Sequence, residues 1–287
     1  MEQQDILSMT LPELQAAVQE LGEPKFRAKQ IFNWLHQKRV TDFSEMTTLS
    51  LPFRERLASD FCINRLKIAK RLASSVDDTV KYLYELPDGN YVETVCMQYH
   101  HGTSLCISTQ VGCRMGCRFC ASAIAGFVRN LTPAEMLLQI YETERAQNCK
   151  ISSLVLMGIG EPLDNFDNVL RFLQLLSDPN GYGMSLRHVT VSTCGVVPKI
   201  LELAEQRLGL TLSVSLHCPN DAGRSAIMPI NRSYPIDVLL DACQTYFEKT
   251  GRRVTFEYAV MDQVNSAEQD AAALAERLKG LHAHVNL

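Results

Sequence analysis

The run Gly112-Cys113-Arg114-Met115-Gly116-Cys117-Arg118-Phe119-Cys120 sets three cysteines in the order C-x3-C-x2-C. Thiolates spaced in this way can each take a different iron of a [4Fe-4S] cubane and leave the fourth iron open. An open iron can chelate the amino and carboxylate groups of S-adenosylmethionine, which places the sulfonium for one-electron reduction. Zinc is the competing reading of clustered cysteines. A closed zinc site needs four ligands, as a rule from paired C-x2-C units or from cysteines with histidines. No second cysteine pair or adjacent histidine accompanies these three, so the spacing favours the cluster.

Other positions suit the cofactor pocket that such a cluster would need. In Gly158-Ile159-Gly160-Glu161-Pro162 the glycines let backbone approach a ligand, and a carbonyl or Glu161 can anchor an amino group. Ser192, Ser215 and His217 fall at the ends of predicted strands as short hydrogen-bonding side chains, suited to a carboxylate or a ribose.

These residues need a scaffold, and from residue 103 onward strands and helices alternate. Strands are predicted at about 103–109, 152–158, 187–193, 210–217, 253–261 and 282–287, and helices at about 132–148, 165–177, 196–207, 235–249 and 266–279. Thr132-Pro133-Ala134-Glu135 is a capping box with proline at the first helical position. Such alternation demands a parallel sheet covered by helices, here an α/β partial (β/α)6 barrel. In 210–217, Leu210, Leu212, Val214 and Leu216 oppose Thr211, Ser213, Ser215 and His217. In 187–193, Val189 and Val191 oppose His188, Thr190 and Ser192, and in 103–109, Leu105 and Ile107 oppose Ser104, Cys106 and Ser108. Period-two alternation puts the apolar side under the helices and the polar side inward. A polar barrel interior implies a cavity for a polar ligand.

Residues 1–70 read as a small helical accessory domain, opened by the capping box Thr10-Leu11-Pro12-Glu13, and residues 71–102 as a β-hairpin extension turning at Pro87-Asp88-Gly89-Asn90. The barrel occupies 103–287. The chain stops at His284-Val285-Asn286-Leu287, within the predicted sixth strand, which gives the expectation of a truncated C-terminus.

Composition bounds the class. Hydrophobic residues make up 46% and charged residues 21%, the balance of a globular chain with a real core. The longest apolar runs are of strand length, so no membrane span is expected, and the N-terminus lacks the plan of a signal peptide. A cytoplasmic protein is expected. In that reducing setting ten cysteines point to metal or catalytic chemistry more than to disulfides. Cys62, Cys96, Cys149 and Cys243 read as small buried hydrophobes. A net charge of −4 does not mark a nucleic-acid binder, yet residues 24–39 carry Lys25, Arg27, Lys29, Lys38 and Arg39 and no acid. That stretch is either a phosphate-contacting helix or a solvated helix face.

The cysteine motif continuing through Gly126-Phe127-Val128-Arg129-Asn130-Leu131-Thr132 resembles the RlmN/Cfr family of radical methyltransferases. So do Gly160-Glu161-Pro162-Leu163-Asp164-Asn165, Ser192-Thr193-Cys194-Gly195-Val196-Val197-Pro198, Ser215-Leu216-His217-Cys218-Pro219-Asn220, Met228-Pro229-Ile230-Asn231 and Tyr91-Val92-Glu93-Thr94. The likeness covers nearly the whole chain in the family's order, and it favours the RlmN branch over Cfr. It implies methylation of adenine C2 in 23S rRNA near the peptidyl-transferase centre and in tRNA beside the anticodon; a Cfr-type enzyme would act at C8. It further implies two S-adenosylmethionine molecules per turnover. One methylates a cysteine near the C-terminus, and the other is cleaved to a radical that activates that methyl group for addition to the base. By the same resemblance Cys106 is the resolving cysteine, Glu93 the proton acceptor, Leu216 a member of the cofactor-binding set with Ser215 and His217, and a flavodoxin-like protein the electron donor. The inward parity of Cys106 in its predicted strand independently directs it toward the cavity. The methyl-carrying cysteine and an asparagine after the sixth strand find no match, so the chain is expected to bind cluster and cleave cofactor without methylating RNA. Two rivals share part of the pattern: a radical activase acting on protein, and a metal-stabilised RNA-binding module.

Overall fold

The computed structural model describes residues 3–287, which fall into two compact units. The first comprises the chain through Ile107 with Leu131–Ser152 and Asp167–Ser185. It opens with β1 (Gln4–Asp5), α1 (Leu11–Glu20), α2 (Phe26–His36), α3 (Leu51–Asp60) and β2 (Phe61–Cys62), the two short strands pairing in parallel. Thr10 and Glu13 close the expected capping box on α1, the Thr10 N–H donating to the Glu13 carboxylate at 2.8 Å. Helix α1 buries Leu14 and Val18, and α2 buries Ala28, Ile31, Phe32, Leu35 and His36.

An antiparallel sheet follows: β3 (Lys67–Ala73), β4 (Val80–Glu85), β5 (Tyr91–Tyr99) and β6 (Gly102–Cys106). The β4–β5 turn falls where Pro87-Asp88-Gly89-Asn90 predicts it, with Gly89 at φ +79°. Strand alternation is clean, with Val80, Tyr82 and Tyr84 buried from β4 and Val92, Thr94 and Cys96 from β5. Helix α4 (Pro133–Gln147) is buried from Pro133 to Glu144, and α5 (Phe166–Ser177) follows later in the chain. The polar residues of α4 survive burial because each is satisfied. Gln139 accepts from the Thr94 hydroxyl at 2.8 Å, Thr143 shares a hydrogen bond with the Tyr84 hydroxyl, and Glu144 accepts from the Ile151 N–H. The capping box at Thr132 and Glu135 is present as expected.

The second unit comprises Ser108–Asn130, Ser153–Phe166 and Leu186–Leu287. A two-stranded antiparallel hairpin, β7 (Gln110–Gly112) and β8 (Phe127–Asn130), brackets the cysteine loop. The parallel layer is β9 (Ile151–Leu156), β10 (Val189–Thr193), β11 (Thr211–Ser215), β12 (Val254–Glu257) and β13 (Ala283–Asn286), side by side in chain order. Its crossovers carry α6 (Val197–Glu205), α7 (Asp221–Ile227), α8 (Ile236–Thr250) and α9 (Glu268–Leu278). Val189, Val191, Leu212, Val214, Val254 and Phe256 are buried beside Ile200, Leu203, Leu239 and Tyr246 of the helices. This is the mixed α/β fold that the strand–helix rhythm requires. No helix among the described residues is long and apolar enough to cross a membrane.

Three details differ from the sequence reading. The predicted strand 103–109 stops at Cys106, and the Thr109 and Gln110 N–H groups turn to the Ile159 carbonyl, so the cysteine loop hangs from the β7–β8 hairpin and not directly from a barrel strand. The predicted strand 253–261 ends at Glu257. Cys96 and Cys243 are buried as small hydrophobes, whereas Cys62 and Cys149 are half-buried.

Candidate active site

A cavity of about 310 Å³ in the second unit is lined by Cys113, Cys117 and Cys120 together with Gly160, Glu161, Ser192, Ser215 and His217. Its wall is less polar than strand parity suggests, because loops and turns add Met115, Phe119, Met157 and Met228. Alternation reads strand faces only. It carries no information about side chains that reach in from the loops above.

The cysteine loop is held at both ends. Cys113 N–H donates to the Gly126 carbonyl at 3.1 Å, Cys120 N–H to the Cys117 carbonyl at 3.1 Å, and Arg118 N–H to the Ile227 carbonyl at 2.9 Å. All three thiols are half-buried, and burial raises Cys113 and pushes Cys117 up to about 11. Among the described residues no three His, Cys, Asp or Glu side chains converge as the ligands of one ion. Ligands of a single zinc lie about 2 Å from one point, whereas each thiolate of a cubane takes a different iron. Three cysteines on one loop, facing one cavity that Cys194 and His217 also line, fit three thiolate ligands of a [4Fe-4S] cluster.

Gln110, fully buried, ties the floor of this loop to the glycine turn after β9. Its side-chain amide donates to Asn130 and Asp164 at 2.8 Å each, and its carbonyl accepts the Glu161 N–H at 2.8 Å. Gly160, at φ +106°, lies against it so closely that a Cβ would stand 2.5 Å from Gln110 Cβ. Glu161 is 4% exposed, and its two oxygens accept the Leu163 and Cys194 N–H groups at 3.0 and 2.7 Å. Burial raises its pKa against those bonds. It therefore braces one strand end against another as much as it faces the cavity.

His217 stands in the left-handed region at φ +57°, uncommon for a residue with a Cβ. Its Nδ1 accepts the Ala259 N–H at 3.0 Å. A backbone amide can only donate, so Nδ1 carries no proton and the neutral ring bears its hydrogen on Nε2. Burial first, then the Arg224 cation, lowers its pKa from 6.5 to about 4. Phe119 packs edge-on against the ring at a centroid distance of 4.9 Å. Leu216 is wholly buried and is not part of the lining; its N–H donates to the Glu257 carbonyl.

Cys106 and Glu93 belong to the first unit. Cys106 is half-buried at the end of β6, opposite Val95 of β5. Glu93, on β5, pairs with Lys81 across the β4–β5 ladder at 2.6 Å, both side chains being 41% exposed. In the basic stretch, Lys25 and Lys29 are exposed, whereas Arg27 is half-buried, donating to the Gln30 side chain and the Thr48 carbonyl.

Sequence reasoning missed two side chains, Gln110 and Arg224. Arg224 is wholly buried, with Nε donating to the Leu216 carbonyl at 3.2 Å and Nη1 to Asn231 at 2.9 Å. Its Nη2 donates to the Cys194 and Ser215 carbonyls at 2.6 and 2.9 Å. A charged residue on a short helix reads as surface, and no local pattern marks it otherwise.

Residues 4–63 match the family described as "Ribosomal RNA large subunit methyltransferase N-terminal domain", and residues 107–275 match "Radical SAM superfamily". A probable dual-specificity RNA methyltransferase RlmN from Lachnoclostridium phytofermentans is 51% identical, over 99% of this chain and 80% of that protein. The protein of the same description from Alkaliphilus oremlandii is 50% identical over 100% and 83%. The crystal structure of a radical SAM methyltransferase from Sphaerobacter thermophilus superposes with a TM-score of 0.94 at 40% identity, covering 99% of this chain and 84% of that one.

Proposed function

This chain belongs to the RlmN family of radical SAM RNA methyltransferases, and from that membership we propose for the protein the reaction at C2 of adenine in 23S rRNA and in tRNA beside the anticodon, which requires a methyl-carrying cysteine besides the residues named here. The observation that carries the reading is the cysteine loop facing one cavity with Ser192, Ser215 and His217. Cys113, Cys117 and Cys120 hold the iron–sulfur cluster. When bound, the cluster and S-adenosylmethionine supply a one-electron cleavage whose carbon radical can take hydrogen from an unactivated methyl group. That route suits the target, because an aromatic C–H carbon of adenine is too poor a nucleophile for polar displacement.

The chain's own residues then bind, orient and move protons. Gly160 admits the cofactor's amino group to backbone, and Glu161 sets that turn. Ser192 and Ser215 hydrogen-bond its carboxylate and ribose, the Leu216 backbone flanks them, and the Nε2–H of His217 donates into the cavity. Cys106 serves as resolving cysteine and Glu93 as proton acceptor. Residues 1–70 form the RNA-contacting domain, 71–102 a β extension and 103–287 the barrel. The target base must be splayed from its stack to reach a barrel interior, which suits loop-borne adenines. A flavodoxin-like donor in the cytoplasm delivers the electron.

Anaerobic reconstitution tests the reading. Four irons and four sulfides per chain, with S-adenosylmethionine turned over to 5′-deoxyadenosine, are expected, and both should vanish in Cys113→Ala, Cys117→Ala and Cys120→Ala. Stoichiometric zinc without cofactor turnover would overturn it. RNA from cells carrying the gene should contain added 2-methyladenosine; 8-methyladenosine in its place would move the protein to the Cfr type.

A further inference from the structure

Arg224 holds an arginine charge in the core with no ion-pairing carboxylate among the described residues. Asp221 makes no direct ion pair with it: its Oδ1 accepts from Asn231 and from the Ile236 N–H, and it acts on the cation only through space and through Asn231. The guanidinium is satisfied by three backbone carbonyls and one amide oxygen. Burying a cation whose direct hydrogen-bond partners are all neutral is costly, and it persists where the geometry it imposes is needed. The carbonyls it gathers are those of Cys194, Ser215 and Leu216. They lie just past the end of β10 and at the end of β11, where the strands hand over to the cavity wall.

The fork geometry matters. Arginine presents several donors in one rigid plane, so a single side chain can set the relative position of two strand ends. Here it fixes both peptide groups preceding His217. That residue is strained, and a strained conformation survives only when its surroundings over-determine it. On its other side, the His217 carbonyl accepts from Asn265 at 2.6 Å and its ring accepts from Ala259. Gly195 leaves room for the guanidinium: a Cβ there would stand 3.3 Å from Arg224 Nη2 and 3.0 Å from a methyl of Leu239. The helix that bears Arg224 also meets the cysteine loop, since the Ile227 carbonyl accepts the Arg118 N–H.

We propose that Arg224 is a positioning residue that clamps the ends of β10 and β11 so that Ser215 and His217 face S-adenosylmethionine, and that its buried charge favours the reduced, more negative state of the adjoining cluster. This rests on the reading of the cavity as the cofactor site. Arg224 acts through space on Cys117 as well as on Asp221, so negative charge on a cluster held by that thiolate is compensated by the buried cation. Charge near an iron–sulfur cluster is a known lever on its reduction potential.

The test uses the reconstituted full chain with R224K and R224Q. Lysine keeps the charge and loses the fork; glutamine loses both charge and fork. With iron content and melting temperature recorded for each, S-adenosylmethionine affinity is measured by equilibrium binding, and the cluster's midpoint potential by redox titration followed by electron paramagnetic resonance. R224K should bind iron normally, hold its potential, and bind S-adenosylmethionine at least about tenfold more weakly. R224Q should show the same weakening and a potential shifted to more negative values. If both variants keep unaltered affinity and potential and only melt earlier, Arg224 is a packing residue and the proposal fails. Should R224Q not fold, the affinity of R224K alone still decides the clamp. Failure of the unsubstituted protein to bind S-adenosylmethionine would instead sink the reading of the cavity.

Discussion

Gly112, one residue before Cys113, has φ +71°, and a methyl group added there would lie 1.7 Å from the Gly126 carbonyl oxygen. Real Cβ atoms essentially never approach within 3.0 Å, so in Gly112→Ala the two backbones must part from 1.7 Å to at least that distance. Neither side can rotate away, because the atom struck is backbone and is the same carbonyl that accepts the Cys113 N–H. The displacement is more than twice the roughly 0.5 Å within which a working constellation must be held. Gly126→Ala supplies the control: Gly126 has φ +72° but nothing within 4 Å of an added Cβ. Both variants bear the left-handed strain, about 1–2 kcal/mol, and should melt a few degrees early. Only Gly112→Ala adds the collision beside Cys113. Iron and sulfide per chain after anaerobic reconstitution, with the visible absorption of the cluster, should stay near normal in Gly126→Ala and fall by more than half in Gly112→Ala. Equal iron in the two variants would refute the claim that this hairpin sets the position of the first thiolate.

Histidine burial makes stability pH-dependent. Burial holds His36 and His217 down to about 4 from the ordinary 6.5. Between those values the unfolded chain binds a proton at each position and the folded chain does not. Stability is therefore fully present above pH 6.5 and falls toward pH 4, each ring contributing a slope of about 1.4 kcal/mol per pH unit. Urea unfolding at pH 7 and pH 5.5 checks this, and His36→Leu should remove about half of the slope; a flat profile would contradict it. Glu93→Gln removes a cross-strand pair with Lys81 that is 41% exposed at each end, so stability should change by about 0–1 kcal/mol. Formation of 5′-deoxyadenosine should continue in that variant; loss of folding would mark Glu93 as structural and remove the case for a proton acceptor. Charge reversal at the exposed Lys25 and Lys29 should weaken RNA binding and flatten its salt dependence while cofactor cleavage persists. Equal loss of both activities would make that helix merely structural.

The cysteine loop was legible because its information is local. Three cysteines within one turn-rich segment come to face one cavity whatever the rest of the chain does. The strand faces were legible for the same reason, and Ser192, Ser215 and His217 do line one cavity. Leu216 shows the limit: its side chain is wholly buried, as its parity demands, and does not line the cavity. The strand predicted at 103–109 shows another, since continuing apolar–polar alternation cannot reveal that the Thr109 and Gln110 amides turn to Ile159.

By itself, the sequence determined the chemistry on offer and the elements that carry it. Residue type and short-range periodicity decide thiolate spacing, helix caps and which strand face is apolar. Tertiary structure alone decided that Arg224 lies buried among three carbonyls, that Gln110 knits the cysteine loop to the glycine turn, and that Glu161 spends its oxygens on two backbone amides. It also decided that His217 holds a strained conformation with its proton on Nε2. Each of these depends on partners far apart in the chain, and the desolvation that gives such contacts their strength exists only once the core has closed around them.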